Sequence, residues 1–218
     1  MAARDYGEYG GVTRALELVG ERWALLIIRD LLVGPRRYGE LAAGLPRIPS
    51  NILAARLKEL QAAGILRRAP RSRVIVYELT PYGRELEPVV LALGAWGFKA
   101  MGDPRDEQII TPDSMTMDLR TAFRSEVALS LPATAYAARL GSAELLIRVD
   151  GSALEVRRGD GAIRDAPIDL AFAAGHGIHR LMSGELDADR AIATGVVEVL
   201  RGRGDLLGRF ARTFHLAA

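Results

Sequence analysis

Apolar residues in the first part of the chain recur at helical spacing and are interrupted by glycine and proline. Val12 to Leu18 predicts a short helix that ends at Gly20. Glu21 to Leu32 predicts a second helix, which Gly34-Pro35 stops. The residues spaced to form one buried face of this second helix are Trp23, Leu26, Ile27 and Leu31.

The stretch from Tyr38 to Leu79 then gives helix, turn, helix and hairpin signals in that order. Tyr38 to Ala43 predicts a short helix, Gly44 to Pro49 a turn bounded by proline, and Ser50 to Ala63 a second amphipathic helix. Ile65 to Leu79 predicts a basic β-hairpin. This order is typical of a winged helix-turn-helix, which places its second helix in the major groove of DNA.

The two sides of the second helix differ. Leu53, Leu57 and Leu60 share one side and are predicted core. The opposite arc carries small and polar residues, namely Asn51, Ala54, Ala55, Lys58 and Ala62, with Ser50 as the predicted N-cap. The Asn51 amide has the geometry to pair with adenine, and it is equally suited to assisting the cap, so both interpretations stay open.

Charge agrees with this interpretation. Between Leu31 and Arg73 there are nine basic and two acidic residues, a local net of +7, whereas the whole chain carries +2. Such a cluster is typical of a phosphate-binding surface, although any one arginine alone would be interpreted as a solvated surface charge. The residues predicted to contact DNA are Arg36, Arg37, Tyr38, Arg47, Ser50, Asn51, Ala54, Ala55, Arg56, Lys58, Arg67, Arg68, Arg71 and Arg73.

A third long helix is predicted after the hairpin. Thr80-Pro81 is a helix-start signal, and the predicted helix runs to Met101 with a kink at Pro88. Its apolar residues exceed what a small domain can cover, which predicts a homodimer interface. The predicted interface residues are Val89, Val90, Leu93 and Trp96.

Several motifs in this region resemble the HxlR-type winged-helix regulators of bacteria, over about Tyr6 to Met101. They are Gly20-Glu-Arg-Trp23, Gly34-Pro-Arg-Arg-Tyr-Gly-Glu-Leu41, Arg56-Leu-Lys-Glu-Leu60, Tyr77-Glu-Leu-Thr80 and Ala95-Trp96-Gly97. The resemblance implies a homodimer on a roughly palindromic double-stranded DNA operator. Many such regulators carry a redox-active cysteine before the first helix, where this chain has Gly10-Gly11, so the resemblance does not extend to a thiol switch there.

Charge also divides the chain. Residues 1–102 carry 15 basic and 10 acidic residues (+5), and residues 103–218 carry 14 and 17 (−3). We therefore predict a DNA-binding domain over 1–102, a linker over 103–110 and a second domain over 111–218. No apolar run approaches the roughly 20 residues of a membrane span, and the first residues lack a signal peptide's apolar region, so we expect a cytoplasmic protein without a membrane partner. The absence of cysteine excludes disulfides and thiolate chemistry.

The second half shows strand signals first and helix signals later. Runs 133–140, 144–149, 154–158, 168–174 and 196–200 predict strands, with Asp-Gly turns between several of them. Helices are predicted at about 178–183, 188–193 and 206–214. This order predicts an α+β fold, a mostly antiparallel sheet with helices on one face.

The run from Leu181 to Gly195, with Gly204 to Phe210 after the last strand, resembles sterol-carrier-protein-like lipid-binding domains, over about Thr111 to Leu216. The resemblance implies an apolar cavity for a hydrophobic small molecule. The candidate lining residues are Phe123, Tyr136, Leu146, Phe172, Leu181, Met182, Leu207, Phe210 and Phe214. The alternative for each of them is ordinary core packing.

Catalytic and metal-binding patterns are not found. His176, His179 and His215 lack ligand spacing, although Asp169 lies near the first two in sequence. No phosphate loop, nucleophile elbow or paired-carboxylate motif occurs, so we expect no cofactor, no metal and no enzymatic activity.

The expected function is therefore a dimeric transcriptional regulator, as a first hypothesis a repressor, whose operator affinity changes when a hydrophobic effector binds the second domain. One alternative makes the second domain an oligomerisation or partner-binding surface. Another makes it an enzyme acting on a lipid-like ligand, which the missing catalytic motifs argue against.

Overall fold

The computed structural model describes residues 5–102, 104–105, 107–159, 161 and 167–216. The chain divides into two compact units, Met1–Val90 and Leu91–Ala218, and the division falls within one helix. The predicted linker over 103–110 stays a prediction, and its residues Asp103 and Asp106 lie outside the described part of the chain.

The N-terminal unit has the element order predicted for a winged helix-turn-helix. It consists of α1 Gly11–Val19, α2 Ala24–Val33, α3 Tyr38–Gly44, α4 Ser50–Ala62, β1 Leu66–Arg71, β2 Val74–Leu79, α5 Pro81–Arg84 and the first residues of α6 Glu87–Phe98. The strands β1 and β2 form an antiparallel hairpin, which is the wing. Backbone hydrogen bonds between Arg36 and Tyr77, at 3.0 and 2.7 Å, add the segment before α3 to the wing.

The core of this unit is built from the leucine stripe of α4 and from α2. Leu53, Leu57 and Leu60 are at most 2% exposed, which confirms the predicted core face. In α2 the prediction was partly wrong, because Leu26 is 39% exposed and Ile28 is fully buried in its place. Burial of such side chains contributes about 1.5–3 kcal/mol each.

The helix predicted over Pro81 to Met101 is two helices. The chain leaves α5 at Arg84 and enters α6 at Glu87, so Pro88 lies in the first turn of α6 rather than at a kink. Proline is tolerated in a first turn because its missing N–H would have no partner within the helix.

The C-terminal unit is α+β, as predicted. After α6 it contains α7 Pro112–Ala122, α8 Ser125–Ala128, β3 Thr134–Leu140, β4 Ala143–Asp150, β5 Ala153–Arg158, β6 Leu170–Ala174, α9 Ile178–Met182, α10 Ala188–Ala193, β7 Val197–Gly202 and α11 Leu206–Thr213. The sheet order is β5-β4-β3-β6-β7, with β3 and β6 parallel and the other pairs antiparallel.

One face of this sheet carries the core of the unit. Strand alternation places Tyr136, Ile147 and Phe172 on that face, where they join a buried cluster with residues of α7, α9 and α11. Helix α7 was not among the elements predicted from the sequence, although its start, Thr111-Pro112, repeats the Thr-Pro signal of Thr80-Pro81. The Thr111 hydroxyl accepts a hydrogen bond from the Ser114 N–H at 3.1 Å, which caps the helix.

Candidate nucleic-acid interface

The exposed arc of α4 presents small and polar side chains. Asn51, Ala54 and Lys58 are exposed at helical spacing, and Ala55 is half-buried beside them. Since Leu53, Leu57 and Leu60 anchor the opposite side, this arc faces away from the core of the unit. Small side chains leave room for the helix backbone to approach base edges closely.

The first turn of α4 is tied to α3. The Tyr38 hydroxyl donates a hydrogen bond to the Ser50 carbonyl at 2.8 Å, so this predicted DNA contact also links the two helices of the motif. Ser50 is not the N-cap as predicted, because Pro49 occupies that position and Ser50 begins the helix. Ser50 is exposed on the first turn, next to Asn51.

Arg56 is buried, unlike the other candidate cations. Its guanidinium forms ion pairs with Glu59 in the same helix and with Glu21 in the segment before α2, the latter at 3.3 Å. The Arg56 side chain is only 10% exposed. The structure thus places Arg56 inside the unit and not on the exposed arc with Asn51. Its ion pair with Glu21 links α4 to the segment before α2.

The wing contains a three-residue ion pair. The Glu78 carboxylate accepts hydrogen bonds from Arg67 Nε at 2.8 Å and from an Arg71 terminal nitrogen at 2.8 Å. Its side chain is 6% exposed, whereas those of the two arginines are 64% and 63% exposed. The two guanidinium groups, that of Arg71 first, hold the pKa of the Glu78 carboxyl below its usual value.

The remaining candidate cations of the wing and of α4 are exposed. Within the described residues, no ion pair or hydrogen bond engages the side chains of Lys58, Arg68 and Arg73. Arg37 is also exposed, and its backbone N–H donates to Glu40 at 2.6 Å at the start of α3. The other two predicted cations lie at the edges of the motif, Arg36 half-buried beside the wing and Arg47 exposed in the turn before α4.

Large apolar side chains are exposed on two helices. On α6, Val89 is 47%, Leu93 44% and Trp96 73% exposed, and Val90 is half-buried. On α1, Val12 and Leu16 are exposed, and Tyr6 and Tyr9 are exposed in the segment before it. The spacing of four residues between Val12 and Leu16 is the sequence signal for a shared helix face.

The candidate lining residues of the C-terminal unit are mostly packed against one another. The Phe210 ring centroid lies 4.6 Å from that of Phe214, 5.1 Å from Phe172 and 5.4 Å from Tyr136, and Phe123 lies 5.9 Å from Phe214. Leu181, Met182 and Leu207 are buried in the same cluster. Leu146 does not join them, because strand alternation places it half-exposed on the opposite face of the sheet.

One of the three histidines lies beside a carboxylate. His179 Nε2 lies 3.3 Å from Asp118, and Asp169 accepts a hydrogen bond from the Ala135 N–H at 2.8 Å. In the described part of the chain, no group of three or more His, Asp or Glu side chains is placed to hold a metal ion. Among the same residues, no helix is both long enough and apolar enough to cross a membrane.

Comparisons with known proteins find similarity over the N-terminal half of the chain. Residues 18–104 match the HxlR-like helix-turn-helix family. The chain is 41% identical over 123 residues to the uncharacterized HTH-type transcriptional regulator Rv3095 of Mycobacterium tuberculosis, covering 55% of this chain and 71% of that protein. It is 36% identical to the HTH-type regulator YvaP of Bacillus subtilis, over 38% of this chain and 80% of that protein. Among solved structures, the quinone-bound YodB of B. subtilis is 38% identical, with a TM-score of 0.37, over 40% of this chain and 96% of that one.

Proposed function

Since the chain belongs to the HxlR-like helix-turn-helix family, whose members are transcriptional regulators, we propose that it binds an operator in double-stranded DNA as a homodimer. The observation that carries the proposal is the exposed arc of α4. It combines a base-reading amide at Asn51, small residues at Ala54 and Ala55, and a cation at Lys58 without a described partner. Side chains of this kind on a second helix read base edges in the major groove.

Dimerisation is the second part of the proposal. Leu93 and Trp96 expose apolar surface on α6, and Tyr9 and Val12 do so near α1. A monomer that kept these surfaces in water would be prone to association, and a two-fold interface would cover them. A symmetric dimer would place two α4 helices on half-sites separated by about one helical turn of DNA, or a multiple of it.

The test is a selection of bound duplexes from a random-sequence library with the full chain. We expect a palindromic motif whose half-sites are about 10 base pairs apart or a multiple of that. Lys58→Ala should weaken binding to every duplex, and Arg139→Ala, an exposed arginine in the C-terminal unit, is the charge-matched control. Equal recovery of all sequences by the wild type would overturn the proposal of sequence-specific binding.

The third part of the proposal is that a hydrophobic effector controls DNA binding. The first hypothesis is that the DNA-bound protein represses transcription. An effector that binds the C-terminal unit of the DNA-free dimer more tightly must weaken operator affinity by the same factor. In the structure the Phe210 ring packs against those of Phe172 and Phe214, so a ligand would have to separate them. This packing favours the alternative in which the C-terminal unit serves assembly or partner binding.

Native mass spectrometry of the purified chain and titration with a fluorescent fatty acid distinguish these two roles. A stoichiometric apolar molecule on the dimer would support the effector role and identify the ligand class. A dimer that takes up no fluorescent fatty acid at saturating concentration would favour assembly. Phe210→Trp supplies the matched variant, because a ligand entering the ring cluster should change the emission of a tryptophan at its centre.

A further inference from the structure

The wing arginines are not equivalent, because the register of the hairpin places a carboxylate between two of them. Arg67 lies directly opposite Glu78, and Arg71 lies on the same face of β1 four residues further along the strand. Arg68 points to the other face, and Arg73 follows Ser72 in the turn. Both Arg67 and Arg71 therefore reach the same acid, whereas Arg68 and Arg73 do not.

We infer that Glu78 is a positioning residue of the wing, which holds Arg67 and Arg71 within the hairpin so that Arg68 and Arg73 are the wing cations that contact DNA phosphates. This inference rests on the proposed DNA-binding function. It assigns a role to an acid that lies outside the cluster of nine basic residues and that charge counting along the sequence did not include.

Glu78 competes with a phosphate for these arginines. Its side chain is 6% exposed while the two arginines are in contact with it, so the guanidinium groups themselves help to shield the carboxylate. Each arginine would have to give up a charge-assisted hydrogen bond of 2.8 Å before it could contact a phosphate. The lowered pKa of Glu78 agrees with an acid that stays ionised against its two arginines.

The number of phosphates contacted can be counted from the salt dependence of binding. Each phosphate contact contributes about 0.9 to the slope of log affinity against log salt, which is a roughly threefold to fourfold larger loss of affinity between 50 and 200 mM salt. The probe is a 30-base-pair duplex of random sequence, so no operator has to be known. The full-length chain is used throughout.

In Glu78→Gln the acid is replaced by an amide of the same shape, and Arg67 and Arg71 are released from their charge partner. We expect the salt slope to become steeper by about 0.9 to 1.8, with tighter binding to random DNA at low salt. Glu85→Gln is the control, because Glu85 is an exposed acid of the same unit and its replacement changes the net charge equally. A slope for Glu78→Gln equal to that of Glu85→Gln would overturn the inference.

A second pair of variants decides the matter if Glu78→Gln does not fold. Arg68→Gln should make the slope shallower by about 0.9, and Arg71→Gln by less than half of that, since Arg67 still satisfies Glu78 in the latter. Equal flattening by the two variants would contradict the inference. Failure of the wild type to bind any duplex would instead overturn the proposed function itself.

Discussion

Replacing Arg56 by methionine separates a structural role from a DNA contact. Arg56 belongs to the basic cluster from which DNA contacts were predicted, yet its side chain is 10% exposed and pairs with Glu21 and Glu59. Methionine keeps the length and apolar character of the arginine stem but removes the charge. We therefore expect Arg56→Met to lower the stability of the N-terminal unit and to leave its phosphate contacts unchanged.

The magnitude follows from the exposure of the partners. Removing one member of a fully buried ion pair costs about 3–5 kcal/mol, and removing one member of a surface pair costs at most about 1 kcal/mol. Glu21 and Glu59 are 32% and 31% exposed, so water can hydrate part of the charge that Arg56 leaves behind. An intermediate value of about 2 kcal/mol is the expected loss in the free energy of unfolding.

Urea denaturation followed by tryptophan fluorescence measures this loss, because Trp23 is half-buried in the N-terminal unit and Trp96 is exposed. With a urea dependence of about 2 kcal/mol per molar, the midpoint should fall by about 1 M. Arg148→Met, which breaks the exposed pair between Arg148 and Asp150, is the control and should shift the midpoint by less than half as much.

The same variant is then titrated with random-sequence duplex DNA at several salt concentrations. We expect the wild-type salt slope, since a buried guanidinium does not release counterions from DNA. An unchanged urea midpoint together with a slope about 0.9 shallower would refute this reasoning and make Arg56 a phosphate contact.

The remaining predictions concern base reading, assembly and the aromatic core. Asn51→Ala should cost about 1–3 kcal/mol on the selected operator and relax the preference at one base position, as measured by repeating the selection; equal loss on random DNA would mean that Asn51 does not read a base. Leu93→Asp with Trp96→Asp should shift the dimer towards monomer in analytical ultracentrifugation, because both side chains expose apolar surface, and Lys99→Asp is the control for added charge. Burial raises the pKa of Tyr136 to about 12, so the folded state holds the phenolic proton more tightly than the unfolded state. The contribution of this proton to the free energy of unfolding is therefore complete below about pH 10, and the free energy of unfolding should fall by up to about 2–3 kcal/mol as the pH rises towards 12. Tyr136→Phe should lose less stability over that interval, and an equal loss would show that another group titrates.

Local patterns predicted the N-terminal elements because their signals are short in sequence. The predicted second helix, Ser50 to Ala63, ends one residue later than α4, and the hairpin lies within its predicted bounds. The role of Arg56 could not be predicted, since it depends on Glu21, which is brought close only by tertiary packing. The pairing of Arg67 with Glu78 could have been predicted from the sequence, because a two-residue turn at Ser72-Arg73 fixes the register of the hairpin and places Glu78 opposite Arg67.

In the C-terminal unit the positions of the strands were predicted from the sequence. Whether their apolar side chains fill a core or line a cavity was not. Each predicted strand overlaps an observed one, from β3 to β7. Whether an apolar side chain lines a cavity or fills a core depends on what faces it across the unit, and that information is not local. Leu146 shows a simpler limit, because one step along β4 moves a side chain to the other face of the sheet.

The central pairing of the C-terminal sheet has a consequence for how the chain folds. The parallel neighbours β3 and β6 are separated in sequence by β4 and β5, so their pairing must close a loop that contains two other strands. The wing, in contrast, closes across a two-residue turn. Loop closure over a longer separation slows folding. The wing should therefore form early, and formation of the C-terminal sheet should limit the folding rate of the chain.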